Sequence, residues 1–169
     1  MEKRIQNDAG QSKEKLFKGN HWELSTDIGL LGPAQKEFEQ RLMGAGWEEE
    51  DYYGMVVSFG EAFINAVAHG NLGLKEKGEH ESWRDAALRV QKDNPSHKKV
   101  FIDLDITSEE LSVTVRDEGE GFKHAPDPTD PEGLLKSSGR GLVFMRNFFD
   151  SVEYNEKGNE VTMKKRRNS

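Results

Sequence analysis

The stretch EAFINAVAHGN, residues 61–71, carries a row of polar side chains through a segment that is otherwise apolar. Glu61, Asn65 and His69 are spaced four residues apart, so a helix places them one above another on a single face. Burying an ionisable carboxylate and an amide without partners is costly. The row therefore predicts one of two arrangements: contacts with loop backbone or water, or a polar ligand bound against this face of the helix.

A second polar stretch, RDEGEGF at 116–122, follows an apolar segment that alternates as a strand does. Asp117 ends that strand, and Gly119 and Gly121 come shortly after it. Glycines spaced in this way let a flat ligand approach the backbone, because no Cβ atom stands in the way. A carboxylate beside them can accept a hydrogen bond from an exocyclic amine. The alternative is an ordinary acidic turn, since the pattern D-x-G-x-G is common on its own.

A third stretch, SSGRGLVFM at 137–145, places small residues immediately before an apolar helix. The N–H groups of a helix's first turn have no partners within the helix. Together with the helix dipole they form a site for anions such as phosphate. Arg140 adds a cation that can make a charge-assisted hydrogen bond to such an anion. Taken alone, the stretch is better explained as a Ser/Gly helix cap.

The composition describes one acidic domain. The chain has 169 residues, a length that suits a single hydrophobic core. Its formal net charge of −7 argues against a general nucleic-acid binder, which usually carries a basic face. It contains no cysteine, so neither disulfides nor thiolate metal sites form. No apolar run approaches the ~20 residues of a membrane helix, and the N-terminus lacks a signal-peptide core. We therefore expect a cytoplasmic protein without membrane contacts, and interpret the basic cluster KKRR at 164–167 as a solvated tail.

Several familiar nucleotide and metal signatures are missing from the sequence. There is no G-x-x-x-x-G-K-[ST], which excludes a P-loop protein, and no G-x-G-x-x-G after an early strand, which excludes a Rossmann domain. Neither C-x-x-C nor H-E-x-x-H is present, which argues against a zinc enzyme. The sequence therefore carries neither of these two nucleotide-binding motifs and no common zinc-binding motif.

The remaining segments predict a single α/β domain over residues 14–167, without internal repeats. Residues 1–13 are polar and aperiodic, so we expect them to be disordered. The charged stretch 74–98 carries Trp83, Ala87 and Val90 at helical spacing and predicts an amphipathic surface helix inserted into the domain. Further helices are predicted over 32–47, 48–70 and 139–150, and strands over 15–28, 98–107, 110–119 and a hairpin at 151–166 that turns around Gly158.

Two neighbouring strands are expected to be half-buried because apolar residues recur along them with a period close to two. The residues expected on the buried face are Phe101, Leu104 and Ile106 in the first strand, and Leu111, Val113 and Val115 in the second. The proline-containing loop 123–138 follows them, and we expect it to form a lid that orders over a bound ligand.

Taken together and in this order, EAFINAVAHGN, DEGEGF and GRGLVFMRNFFDSVEY resemble the N, G1 and G2 boxes of the GHKL (Bergerat-fold) ATPases. Within that superfamily they look most like the branch of anti-sigma factors that are serine-protein kinases. The similarity covers roughly residues 30–166. It implies a two-layer α/β sandwich, in which helices cover one face of a mixed, mostly antiparallel sheet. ATP–Mg is then expected between the long helix and the glycine loops.

The resemblance also implies a role for each candidate residue. Asn65 matches the Mg²⁺-binding asparagine, and Glu61 matches the candidate general base. Asp117 matches the carboxylate that holds the adenine amine, with Gly119 and Gly121 under the base. Gly139 and Gly141 match the G2-box glycines near the phosphates, and His69 and Arg140 are further candidates for the nucleotide site. A bound metal and phosphates would satisfy the polar row of the long helix.

Three functions are compatible with this resemblance. The leading one is a protein serine/threonine kinase of the anti-sigma type, which sequesters a sigma factor or similar partner and phosphorylates an antagonist protein. The second is a nucleotide-gated partner-switching module without phosphotransfer, and the third is an ATPase or sensor-histidine-kinase catalytic fragment. Homodimerisation is implied by the resemblance alone. The stretch 74–98 is longer than in the compact anti-sigma kinases and resembles the insert of stand-alone ATPase-like domains of bacterial phosphorelays.

Overall fold

The computed structural model describes residues 16–121 and 137–167 of the chain, the side chains of 137–140 excepted. The elements follow one another as β1 (His21–Ser25), a 3-10 turn (Ile28–Leu30), α1 (Leu31–Gly44), α2 (Glu49–Asn65), a π-helical turn (Ala66–Asn71), α3 (Trp83–Asp93), β2 (Lys99–Ile106), β3 (Glu110–Arg116), α4 (Ser137–Phe148), β4 (Ser151–Tyr154) and β5 (Glu160–Arg166). The alternation of helices and strands is that of the predicted α/β domain.

One layer of the fold is a five-stranded sheet in the order β1-β2-β3-β5-β4. All four pairings between the described strands are antiparallel. The central strand is β3, in which Val113 lies opposite both Leu104 and Met163. Alternate residues point to opposite faces of a sheet, so one face collects the apolar side chains. The buried positions are Trp22, Leu24, Val100, Ile102, Leu104, Leu111, Val113, Val115, Val152, Val161 and Met163.

The second layer consists of helices whose apolar residues join the buried face of the sheet in one core. In α1, Phe38 and Leu42 lie one turn apart and are fully buried, and the Phe38 ring lies 4.9 Å from that of Phe59 in α2. Residue Gly46 follows α1 with a φ of 92°, which glycine adopts without strain. The first turn of α2 then carries three carboxylates, which the helix dipole favours at this end.

The predicted fold class is confirmed, and the sequence also located most elements correctly. The surface helix predicted in the segment 74–98 is α3, and it buries Ala86 and Ala87. None of the described helices is both long and apolar enough to cross a membrane. The segment 1–13, and the loop 123–138 up to the start of α4, lie outside the described residues.

Two expectations about the sheet were wrong. Phe101 is not in the core row, because Val100 and Ile102 occupy the buried positions on either side of it. Its ring lies half-buried on the opposite face, with the Arg116 guanidinium 4.1 Å above it. The basic cluster at 164–167 is not a free tail, since its first three residues belong to β5. Lys165 Nζ lies 3.4 Å from Asp150 Oδ1.

Candidate nucleotide site

The end of the long helix changes its winding at the polar row. Helix α2 is α-helical up to Asn65 and continues as the π-helical turn Ala66–Asn71. Such turns shift the angular register of the residues that follow and occur often at functional sites. Asn65 and His69 still face the same pocket, which the turn borders on one side. Two members of the predicted polar row thus line one pocket across a change of helix type, whereas Glu61 is not among the lining residues.

The pocket lies between the end of α2, the C-terminal end of β3 and the β4–β5 hairpin. Asn65 and His69 line it from the helix, Val115 and Asp117 from the strand, and Tyr154 and Asn159 from the hairpin. Burial raises the pKa of Tyr154 to about 12, so its hydroxyl stays protonated. The pocket thus combines these polar groups with apolar walls such as Ala62 and Ala66, a combination that is typical of small-molecule sites.

Asp117 is held rigidly at the edge of this pocket. Its backbone N–H donates to Asn159 O at 2.9 Å, and its carbonyl accepts from Asn159 Nδ2 at 2.7 Å. The carboxylate oxygen Oδ1 accepts the Gly119 N–H at 2.8 Å. Burial raises the pKa of Asp117 to about 6, against the opposing effects of the Gly119 hydrogen bond and nearby cations. A carboxylate has four lone-pair sites, so Asp117 keeps the capacity to accept a further hydrogen bond.

Three glycines, Gly70, Gly119 and Gly121, allow the backbone to close around this carboxylate, and we call them the glycine cradle. A Cβ at Gly70 would lie 2.3 Å from Asp117 Cγ, and one at Gly119 would lie 2.3 Å from the Gly70 carbonyl oxygen. Gly121 has a φ of 81°, and a Cβ there would lie 2.0 Å from the Lys157 carbonyl oxygen in the hairpin turn. Only glycine fits at these three positions.

The start of α4, which contains the third polar stretch, lies beside Glu61 and Asn65 of α2. A Cβ at Gly141 would lie 3.4 Å from Asn65 Nδ2 and 3.5 Å from Glu61 Oε2. Helix α4 begins at Ser137, two residues earlier than predicted, so Gly139 and Arg140 lie in its first turn. Asn65 and Glu61 therefore lie beside the N-terminal turn of a helix, where anions are favoured.

Small residues on α2 set how closely α4 approaches it. A Cβ at Gly54 would lie 2.0 Å from Phe148 Cδ1, and the Ser58 hydroxyl donates to the Gly54 carbonyl and approaches the Phe144 carbonyl at 3.3 Å. The contacts at Gly54, Ser58 and Glu61 follow one another along α2 at about one turn each. The packing at Gly54 therefore fixes the position of Gly141 at the other end of α4.

Gly54→Ala is expected to lower the free energy of unfolding by about 1–3 kcal/mol, because the added methyl group overlaps the Phe148 ring. Urea unfolding followed by circular dichroism measures the change. The matched control is Gly44→Ala, at the end of α1, where nothing lies within 4 Å of the new Cβ. A Gly54→Ala variant as stable as the parent would contradict this account of the packing.

His69 links the pocket to the segment 74–98. Its Nδ1 lies 2.9 Å from the Leu74 carbonyl oxygen, which can only accept, so Nδ1 carries the proton. The Trp83 ring of α3 packs edge-on against the imidazole, with ring centroids 4.2 Å apart. Burial lowers the pKa of His69, which keeps the imidazole neutral near pH 7. The predicted candidate His69 thus lines the pocket, while Leu74 and Trp83 hold its ring in place.

Several pocket residues were not among the predicted candidates. Gly70 is visible in the sequence as part of the helix's end, but its contact with Asp117 depends on tertiary structure. Tyr154 and Asn159 come from the hairpin, some 40 residues beyond Asp117, and no spacing rule brings them to it. Asn71 does not line the pocket, but it is buried at the end of the π-helical turn, and nothing in the sequence indicated its role.

The comparisons with known proteins agree with this arrangement. Residues 24–165 match the model of the histidine kinase-like ATPase domain family. The match spans most of the chain, and the chain therefore belongs to this family. It is similar to the anti-sigma F factor of Oceanobacillus iheyensis, with 38% identity over 79 residues that cover 43% of this chain and 54% of the relative. An anti-sigma F factor of Clostridium perfringens is 37% identical over 79 residues, covering 43% and 56%.

The chain spans about half the length of the curated relatives it matches. Both relatives are anti-sigma F factors, and the family match includes all three polar stretches. The resemblance to the anti-sigma branch of the GHKL ATPases is confirmed.

Proposed function

We propose that this protein binds ATP with Mg²⁺, transfers the γ-phosphoryl group to a serine or threonine hydroxyl of an antagonist protein, and sequesters a sigma factor or similar regulator. The observation that carries the proposal is the Asp117 carboxylate, half-buried at the edge of the pocket and packed against the glycine cradle. The names of the relatives support the regulatory part, since both are anti-sigma F factors.

Adenine recognition is assigned to Asp117 and the glycine cradle. A carboxylate accepts the hydrogen bond of an exocyclic amine such as that of adenine, whereas guanine presents a carbonyl oxygen at the corresponding position. Gly119 and Gly121 have no side chains, so the backbones of Gly70 and Lys157 pack directly against them. Gly121 also lines the pocket, together with Asp117. Val115 and Tyr154 add apolar surface to the same pocket. Together these features favour an adenine nucleotide over a guanine nucleotide.

Asn65 is assigned to the metal. Mg²⁺ is a hard ion that prefers oxygen ligands and is usually bound through few protein groups, with phosphate oxygens and water completing its shell. The amide oxygen of Asn65 is such a ligand, and Asn65 lies both in the pocket and beside Gly141 of α4. Mg²⁺ bound there would neutralise phosphate charge, while Gly139, Arg140 and Gly141 would contact the phosphates from the start of α4.

Glu61 is assigned as the general base, with the γ-phosphate expected near Asn65 and the start of α4. It lies one helical turn before Asn65, and both residues adjoin Gly141. Its carboxylate would accept the proton of the attacking hydroxyl as the new bond from oxygen to phosphorus forms. The bond from the γ-phosphorus to the bridging oxygen breaks, and ADP leaves with that electron pair. The products are then ADP, the phosphorylated antagonist and protonated Glu61.

ATP is expected to bind at least about tenfold more tightly with Mg²⁺ than with EDTA, because the pocket relies on Asn65 and the metal to balance phosphate charge. Asn65→Ala should remove most of this difference and leave the fold intact. Isothermal titration calorimetry measures both affinities, and Asn94→Ala at the exposed end of α3 serves as the control. Equal affinities of the parent in Mg²⁺ and in EDTA would refute the role of Asn65.

The remaining parts of the proposal concern the protein partners, the oligomeric state and the location of the protein in the cell. The antagonist and the sigma factor are expected to be protein partners, and no direct nucleic-acid contact is expected from an acidic chain. A homodimer and a cytoplasmic location remain predictions. Co-purification from the native host, with and without ATP, tests the partners, since a nucleotide-dependent regulator should change what it retains.

A further inference from the structure

Asn71 closes the π-helical turn and joins three segments that are distant in the sequence. Its side chain is buried, with 5% of its surface exposed. The amide nitrogen Nδ2 donates to Thr26 Oγ1 at 2.9 Å and to the Lys99 carbonyl at 3.0 Å. The amide oxygen Oδ1 accepts the Glu118 backbone N–H at 2.8 Å. Both hydrogens and the oxygen of this amide are therefore engaged, each within the fold.

The hydrogen bond to Glu118 acts on the backbone between Asp117 and Gly119. The Glu118 carboxylate in turn accepts the Lys99 N–H at 2.7 Å, so this segment is attached to the start of β2 by a second bond. On the helix side, the neighbour of Asn71 is Gly70, whose backbone meets both Asp117 and Gly119. Asn71 is thus bonded to both sides of the contact that encloses the Asp117 carboxylate.

From these contacts we propose that Asn71 is a positioning residue for adenine recognition, which holds the Asp117–Gly119 segment against Gly70 so that the Asp117 carboxylate faces the base. The inference rests on the proposed function and deepens it. Asn71 contacts neither nucleotide nor metal in this account, and it acts through the backbone of Glu118.

The bonding pattern explains why an asparagine is needed. Alanine would leave the N–H of Glu118 and the carbonyl of Lys99 without this partner at part-buried positions, which is costly where water does not replace it. Aspartate keeps an acceptor for Glu118 but has no hydrogens to give to Lys99, so two oxygens would face each other. Thr26 belongs to the same network and donates to the Lys98 carbonyl, but has no bond to the 117–119 segment.

The test compares ATP and GTP affinities, in Mg²⁺, by isothermal titration calorimetry for the parent, Asn71→Ala, Asn71→Asp and Thr26→Val, with urea unfolding of each. Both Asn71 variants should weaken ATP binding about tenfold and lower the ATP-to-GTP affinity ratio. Thr26→Val should lower the urea midpoint and leave that ratio unchanged, because a purely structural loss does not act on the adenine contact.

Folded Asn71 variants that keep the parental ATP-to-GTP ratio would overturn the inference while leaving the proposed function standing. If Asn71→Ala does not fold, Asn71→Ser carries the same comparison, since its hydroxyl retains one donor and one acceptor. A parent that binds neither nucleotide would overturn the proposed function, and the positioning role with it. The parental titration thus separates the two failures.

Discussion

Glu61→Gln is expected to lower phosphoryl transfer by about 10²–10⁴-fold while the affinity for ATP–Mg changes little. A positioned general base typically contributes a factor of this size. The amide has nearly the shape of the carboxylate but cannot take the proton of the attacking hydroxyl. The nucleotide contacts are assigned to Asp117 and Asn65, which the substitution leaves in place. The loss should therefore appear in the transfer rate and not in binding.

Transfer of radiolabelled phosphate to the co-purified antagonist measures this effect, alongside a binding curve and a thermal melt. Glu49→Gln is the matched control, since Glu49 lies exposed in the first turn of the same helix, far from the pocket. Full transfer activity in Glu61→Gln would refute the catalytic assignment. A parent that transfers phosphate to no partner would favour a nucleotide-gated switch, and a lower melting temperature without specific loss would indicate a structural glutamate.

Asp117→Asn is expected to have two opposite effects, a loss of adenine recognition and a gain of stability. A hydrogen bond to a charged acceptor is worth about 1.5–3 kcal/mol, so ATP affinity should fall about 10–100-fold. The ATP-to-GTP ratio should fall with it, because the amide also brings an NH₂ group that needs an acceptor. The Asp117 carboxylate is thus expected to favour ATP binding and to lower the free energy of unfolding.

The gain of stability follows because the protonation of Asp117 is linked to folding. The folded-state pKa of Asp117 is about 6, above its usual value of 3.8, because the carboxyl is buried. The native state then binds more protons than the unfolded state between these values, so parental stability falls as pH rises through this window. An interval of about two pH units corresponds to at most about 3 kcal/mol. The asparagine variant does not ionise and escapes this fall.

Urea unfolding between pH 4 and pH 8 tests the linkage, and nucleotide titration tests the recognition. The stability advantage of Asp117→Asn should be small at pH 4, grow up to about pH 6–7 and then remain constant. Asp105→Asn, at an exposed position of β2, should show no such growth. An unchanged preference for ATP over GTP in Asp117→Asn would show that the adenine assignment is wrong.

Local patterns in the sequence were sufficient to predict most helices and strands and several residues of the candidate pocket. The four-residue spacing of Glu61, Asn65 and His69 identified one helix face, and Asn65 and His69 line the pocket. The end of an alternating strand identified Asp117, and buried Val113 and Val115 follow the predicted period. These features depend on neighbours within a few residues, which is the range over which helix and strand geometry act.

What the sequence did not predict depends on contacts between distant segments. Whether Phe101 or its neighbours face the core is decided by register, and a shift of one residue reverses every side chain of a strand. The π-helical turn is too short to produce a recognisable apolar pattern in the sequence. Its last residue, Asn71, forms hydrogen bonds with the Thr26 hydroxyl and the Glu118 N–H, which are distant in the sequence. The steric need for glycine at position 70 exists only because Asp117 is packed there.

The pocket bounded by the π-helical turn, Asp117 and the β4–β5 hairpin is expected to hold the adenine of ATP. A crystal structure of the full chain with Mg²⁺ and a non-hydrolysable ATP analogue tests this assignment. The adenine amine should donate to the Asp117 carboxylate, the base should lie beside Gly119 and Gly121, and Mg²⁺ should lie on Asn65. A base bound elsewhere, with Asp117 making no contact to it, would refute the assignment.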